Sequence, residues 1–522
     1  MNRFILISLL IGSGISLNAY ADTKTGQPVS KHWEAFKNQR KSTDILLDYS
    51  YAGFMHGETG VPEVKYKRFD VTSFGAVPND GKSDREAFIK ALEAAYKHGE
   101  GIIYFPAGRF DLRPEDAPNE PIYIKSSRIV LQGAGAERGG TELFMEYPNP
   151  ALDEKKMWTS PDLIRFRSFE KKRELAKVTG KAQRGDFSLE VSSAKGLKPG
   201  DWVCLELKNN DTLLIAEELA PYSVQKNWKQ ILKEGVMVQD YHQIVSVDGN
   251  MVTFKEPLMK EVNPKWGWVI NSFPRLENVG VENIAFVGNF HDQFKHHRSW
   301  LDDGGYKPLV MMNAVNSWVR HCRFTDVSEA LSVISSANVS VYDCVIDGNL
   351  GHSAIRSQGS SRVFIGKIDD QPSQWHSVGI SKPAMGTVIW RVKTKANSCF
   401  EAHASQPRAT LFDACEGGFM RGRAGGAVAS NPNHLNDLVF WNYKALDESK
   451  ADFDFWATDT PYWRFMPPVI IGFHGNNTTF VEDQTKAIES LGKPVYPESL
   501  YEAQLELRLG ELPAWIRELK NK

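Results

Sequence analysis

"NSWVRHCRFTD" (316–326), "NVSVYDCVIDG" (338–348) and "SSRVFIGKIDD" (360–370) align without gaps and begin 22 residues apart each time. "NVGVENIAFVG" (278–288) matches the same template. Each unit is a short run with apolar residues on alternate positions, closed by Asp, Asn, Gly or Ser, which is the pattern of a strand followed by a turn. A fixed period of 20–25 residues built from short strands is the mark of a parallel β-solenoid, in which each coil stacks on the one before. The frame continues more loosely through "VFIGKI", "VIWRVK", "LFDACE" and "LVFWNY", marked by Val363, Val388, Leu411 and Leu438. A leucine-rich repeat has a similar period, but its L-x-x-L-x-L signature is missing. The repeat therefore predicts an all-β, single-stranded parallel β-helix.

Outward from the repeat, "DREAFIKALEAAYKHG" (84–99) carries apolar residues at helical spacing, with Asp84 placed to cap its N-terminus. Such a helix would cover the open first coil. Residues 484–522 contain a second amphipathic stretch, expected as a helical cap near the other end. Between early coils, 168–272 holds hairpin-like strands with Pro-Gly and Asp-Gly-Asn turns and a short helix at "NWKQILKEG". It is expected to form a small β-rich subdomain flanking the groove. The divisions are thus 1–21, 22–167 with the capping helix and first coils, 168–272, 273–483 with the main coils, and 484–522.

The N-terminus has the features of a secretory signal. Arg3 supplies the positive region, "FILISLLIG" the apolar one, and Ala19-Tyr20-Ala21 a cleavage site after Ala21. The apolar run is shorter than the ~20 residues that span a bilayer. The expectation is a secreted or periplasmic, monomeric protein. Lys and Arg number 62 against 64 Asp and Glu, so the chain has no global attraction to nucleic acid or anionic membrane. Five cysteines (204, 322, 344, 399, 415) lack C-x-x-C spacing and are expected as buried apolar fillers.

"FDVTSFGAVPNDGKSDREAFIKALEAA…GEGIIYFPAGRFDL" (69–112) resembles the opening segment of the pectate-lyase-like right-handed β-helix superfamily. Phe74, Gly75, Ala76, Asp80, Gly81, Asp84 and Ala87 fit its first motif; Gly101, Pro106, Gly108 and Phe110 fit its second. The resemblance implies a right-handed coil and a carbohydrate as partner. The superfamily includes lyases, hydrolases and phage tailspikes, so the chemistry must be argued from the residues. The N-T-D…D-D…G-H-G…R-I-K series of polygalacturonases is missing.

Equivalent positions of successive coils stack ~4.8 Å apart. Counting from the strand markers puts Glu329, His352, His376, Glu401 with His403, and Arg421 with Arg423 at nearly one phase in five coils. Arg356, Lys382 and Arg408 form a second column slightly later. The result is a basic ladder suited to an acidic polysaccharide. A β-elimination lyase must neutralise a uronate carboxylate, remove the C5 proton and protonate the leaving oxygen. Arg408, Arg421 and Arg423 suit the carboxylate; His376, His403 or Lys382 suit the base and acid; Glu401 would orient a His or bind a hydroxyl. His352, Arg356, Glu329, Asn433, His434 and the loop residue Trp300 are further candidates for substrate contacts.

The alternatives are a glycoside hydrolase pairing Glu401 with Glu329, Glu416 or Asp413, or a non-catalytic carbohydrate-binding β-helix. The loop "NFHDQFKHHRSWLDDGGYK" (289–307) would edge the groove with His296, His297, Arg298, Asp302 and Asp303. Calcium could be held by Asp302 and Asp303. Neither H-E-x-x-H nor a clear three-ligand spacing occurs, so no zinc site is expected.

Overall fold

The computed structural model describes residues 26–423 and 425–522. The leader-like stretch 1–21 lies outside the described residues. The coils stack as a parallel β-helix. One ladder of parallel strands runs from Gly101–Phe105 through Ala314–Arg320, Ala337–Asp347 and Thr387–Trp390 to Val469–Ile471 and Ala487–Glu489. A separate seven-stranded parallel sheet faces another way. Its order is Ile122–Ile124, Ile164–Phe166, Leu309–Met312, Glu329–Ile334, Ser353–Gln358, Gly379–Ser381 and Glu401–Ala402. Within the long ladder the chain bends at residues with positive φ, among them Asn316, His321, Asn338 and Asp343. Asn and Asp tolerate that conformation better than most residues.

Alternation fixes which side chains fill the interior. Along the seven-stranded sheet, Leu331, Val333, Ile355, Ile380 and Ala402 point into the continuous apolar core. Their neighbours Ser332, Arg356, Gly379 and Glu401 sit in one register row on the outer side. Cys322, Cys344, Cys399 and Cys415 lie in the core, Cys204 packs in a smaller apolar cluster, and all five are buried. They act as the compact fillers their strand positions suggest.

Helix Arg85–His98 covers the first coil through Phe88, Ala91, Leu92 and Ala95. Asp84 does not cap it. Its carboxylate accepts instead from the backbone N–H groups of Val77 (2.9 Å) and Asp111 (3.1 Å), tying the preceding turn to the next coil. At the opposite end the core is filled by aromatic side chains of residues 453–480, including Phe453, Phe455, Phe473 and Phe480. Helices Leu500–Leu509 and Ala514–Asn521 do not plug that end; they lie along the flank. Tyr501 packs on Phe364 with ring centroids 5.2 Å apart, and Glu502 accepts from Trp390 Nε1 at 3.1 Å. The reason is the outer row of large apolar residues (Phe364, Trp390, Trp441), which needs a cover more than the already filled end does.

Residues 174–272 form a six-stranded antiparallel sheet with helices Thr212–Leu219 and Lys229–Glu234. It is fastened to the coils by buried charge. Arg362 donates to Asp240 Oδ1 at 2.6 Å and to the carbonyls of Tyr241 and Pro257. Arg408 donates to Glu218 and, at 3.1 Å, to the carbonyl of Met237. Lys260 completes the cluster 2.7 Å from Glu218.

Arg408 is therefore a clamp, and its direction toward the insertion removes it from the column expected from counting. Burial works to raise the Glu218 pKa, yet Arg408 and Lys260 outweigh it and hold the carboxylate at about 2, below its ordinary 4.5. A depressed carboxylate contributes stability that is present above its unfolded pKa and lost as pH falls toward the folded one. Arg408→Met should lower unfolding free energy by about 3 kcal/mol, the scale of breaking a buried ion pair, in a denaturant titration. Glu218→Gln should flatten the loss of stability between pH 4.5 and about 2.

Candidate active site

The outer side of the seven-stranded sheet carries a cavity of about 970 Å³. Its rungs are Glu329 and Ser332 from one coil, His352 and Arg356 from the next, then His376, Ser381 and Lys382, then His403. Glu329 pairs in register with Ser353, and Ser353 with His376, so His352 and His376 come together across coils. The walls are loops. Loop 289–307 contributes His296, His297, Asp303 and Lys307; Trp158, Tyr462 and Trp463 come from two others; Arg423, Gly425 and Gly426 close a further side. None of the lining residues belongs to 168–272, so the β-rich insertion does not flank this cavity.

Five histidines pack against one another. The rings of His376 and His403 are 4.6 Å apart, those of His352 and His376 4.8 Å, and those of His296 and His352 5.5 Å. His376 Nδ1 lies 3.2 Å from Glu401 Oε2, and Gly425 N–H donates to the other carboxylate oxygen at 3.1 Å. Glu401 is thus buried behind the imidazoles. Burial pushes its pKa up, against the pull of His403 and Arg356. Burial lowers His376 and His403 well below the usual range, reinforced by neighbouring cationic groups. His297 is raised by its hydrogen bond to Asp303, 2.8 Å.

The other carboxylates facing the cavity are also engaged. Glu329 lies 2.9 Å from Lys307, and that pairing with His352 and Arg356 outweighs burial and holds it well below the usual carboxylate range. Lys382 differs. Among the described residues its ammonium makes no hydrogen bond or ion pair, and burial, then Arg356 and Lys307, lower its pKa. Trp375 is held between His296, stacked at 4.8 Å, and the Arg423 guanidinium 5.0 Å from the ring.

Several expected members of the ladder are elsewhere. The sheet stops at Glu401–Ala402, so Arg421 and Arg423 are on a loop and not on a further rung. Arg421 turns away to Asp454 and Asp459. Arg423 returns to the cavity while donating to the carbonyls of Ser373, Gln374 and Trp375. His434 is fully buried, with Nε2 2.9 Å from Thr410 Oγ1 and burial lowering its pKa to about 4. Asn433 holds the loop by donating to the Gly425 carbonyl at 2.7 Å. Trp300 packs behind Gly305 and does not line the cavity. Asp413 receives hydrogen bonds from the start of helix Leu500–Leu509, and Glu416 pairs with Lys444; neither can partner Glu401.

The Asp302 oxygens are taken by Arg298, Ser299 and the Lys295 N–H, which leaves no acidic pair for calcium. Counting missed Trp375, Lys307, Trp158 and Tyr462. Only Trp375 had a signal, beside His376 in "QWHSVG".

Residues 373–519 match the family model described as a domain of unknown function, DUF4955. Among curated proteins, mannuronan C5-epimerase AlgE3 of Azotobacter vinelandii is 30% identical over 92 residues, 18% of this chain and 5% of that protein. Alginate lyase 7 of the same organism is 35% identical over 68 residues, 13% of this chain and 8% of its own length. The matched stretches thus span under a tenth of either relative. Among solved structures, the tailspike gp49 of Pseudomonas phage LKA1 aligns over 82% of this chain and 77% of its own, at 11% identity and TM-score 0.40.

Proposed function

We propose that this chain is a polysaccharide lyase that cleaves a uronic-acid-containing polymer by β-elimination, in an extracytoplasmic setting consistent with its leader-like N-terminus. The observation that carries this reading is the free amine of Lys382, set beside Arg356 in a cavity whose carboxylates are already paired. Short stretches related to alginate-modifying enzymes support a polysaccharide as substrate.

Arg356 and Arg423 hold the uronate carboxylate, stabilising the charge that develops when C5 is deprotonated. Neutral Lys382 takes the C5 proton and becomes an ammonium. The C4–O bond breaks as the C4–C5 double bond forms, and the leaving oxygen takes up the proton that Lys382 has just accepted, which returns the amine to its neutral form. Glu401 orients His376 from behind. Trp158 and Tyr462, both largely exposed on the rim, offer faces for sugar rings. A hydrolase would need two carboxylates free to flank the bond. Glu329 and Asp303 are committed to Lys307 and His297, which disfavours it.

The test is incubation with a panel of uronate polysaccharides, following near-ultraviolet absorbance and product mass. Elimination gives an absorbing unsaturated end. Reducing ends without absorbance would mean hydrolysis. Deuterium uptake at C5 without cleavage would mean epimerisation, which shares the first proton transfer.

A further inference from the structure

The five-histidine cluster does more than proton transfer requires. One ring nitrogen from each of His296, His352 and His376 lies within 4.8 Å of the others, and His296 Nε2 and His376 Nε2 are 3.2 Å apart. A tetrahedral zinc ion with Zn–N bonds of about 2.0–2.1 Å separates its nitrogens by roughly 3.3–3.4 Å. Small ring rotations would close the set around one ion.

Three further observations point the same way. His352 is buried and lines the cavity, and among the described residues neither of its ring nitrogens has a partner within hydrogen-bond distance, the Glu329 carboxylate standing 3.7 Å from Nδ1. A buried polar group without a partner costs about 1–3 kcal/mol, and a ligand removes that cost. His376 has the outer shell of a metal ligand. Glu401 sits on Nδ1 at 3.2 Å, so the hydrogen-bonding network assigns the proton there and leaves the Nε2 lone pair toward His296. His296 is itself held from both sides, by Trp375 at 4.8 Å and by His297, which Asp303 fixes at 2.8 Å.

We propose that His296, His352 and His376 bind one late first-row divalent cation, zinc foremost, with its fourth position open to the cavity. Three imidazoles select zinc, copper, nickel or iron over calcium and magnesium, which take oxygen donors. The carboxylates of Glu401, Asp303 and Glu329 stand against or near the histidines and offset the dication's charge beside Arg356. Three protein ligands plus an open position is the arrangement of a metal that meets substrate, not of a closed structural site. No linear motif announces it, because one ligand is on loop 289–307 and the other two are on successive coils. The inference goes beyond the elimination reading and holds whichever sugar reaction occurs.

The experiment uses the full chain without a polyhistidine tag, stripped with chelator and titrated with Zn²⁺ alone, no sugar present. One equivalent should bind with submicromolar affinity, unaffected by excess Ca²⁺. His296→Ala, on the loop, and His352→Ala should each weaken binding at least 100-fold, and Glu401→Gln by about 10–100-fold, the range for outer-shell partners. Circular dichroism checks that each variant is folded; His296→Ala carries the test if the buried variant is not. Co²⁺ in place of zinc should give the visible absorption of a four-coordinate nitrogen site. A stoichiometry near zero, or zinc retained unchanged in His296→Ala, would overturn the proposal. Because binding is read without substrate, a failed lyase assay leaves this result standing, and the reverse.

Discussion

Lys382→Ala should lower kcat by about 10²–10⁴-fold, the usual contribution of a positioned general base, on whichever uronate polymer the wild type cleaves. KM should change little, because Arg356 and Arg423 remain to hold the carboxylate. Lys382→Arg should not rescue turnover, since a guanidinium stays protonated and cannot accept the C5 proton. The pH profile adds a check with a definite sign. Burial, then Arg356 and Lys307, lower the Lys382 pKa below the ordinary 10.5. The amine is a base only when neutral, so kcat rises with pH through this lowered value. That ascending limb should vanish in the alanine variant. Turnover retained in Lys382→Ala would remove the proposed base.

The second large effect comes from a single methyl group. A Cβ built on Gly425 would lie 2.4 Å from His376 Cε1 and 2.5 Å from His403 Cδ2. Neither contact can exist, so Gly425→Ala must either tilt the imidazoles or lift the loop. Lifting breaks the N–H bond to Glu401 at 3.1 Å and the Asn433 contact at 2.7 Å. Either way the groups move by a substantial fraction of an ångström. Misplacement on that scale costs about 10²-fold in rate. The melting temperature should change less than the rate, because the contacts in question are with His376 and His403, while the loop's anchor in the apolar core, Phe419, is untouched. An alanine variant with full activity would show that these rings need no fixed position.

Much of this is legible in the sequence. The 22-residue spacing of 316, 338 and 360 specified stacked coils because the hydrogen-bonding distance between strands leaves little freedom in register. The same spacing brought Glu329, His352, His376 and Glu401 to one face. Counting failed where the coil ceased to be the unit. Arg421 and Arg423 follow a strand of the long ladder, but the chain builds no further rung of the seven-stranded sheet there, so their phase means nothing. Arg408 keeps a coil position yet faces a subdomain whose Glu218 comes from 190 residues earlier in the chain. His434 has a polar side chain, but Thr410 offers it a buried partner. Loop residues such as Trp158 and Tyr462 carry no period, and only three-dimensional proximity reveals them.

The division between rungs and loops has a consequence for how such a protein changes over time. His352, Arg356, His376, Lys382 and His403 are placed by strand register, so an insertion within their coils would displace them from one another and from the core at once. His296, Trp158 and Tyr462 sit on excursions between strands, whose length can drift without touching the stack. Under the elimination proposal, descendants of this chain could alter the sugars they accept by trading loops, while the row that handles the proton is inherited nearly whole. Diversity in diet and constancy in chemistry would follow from where each side chain is attached.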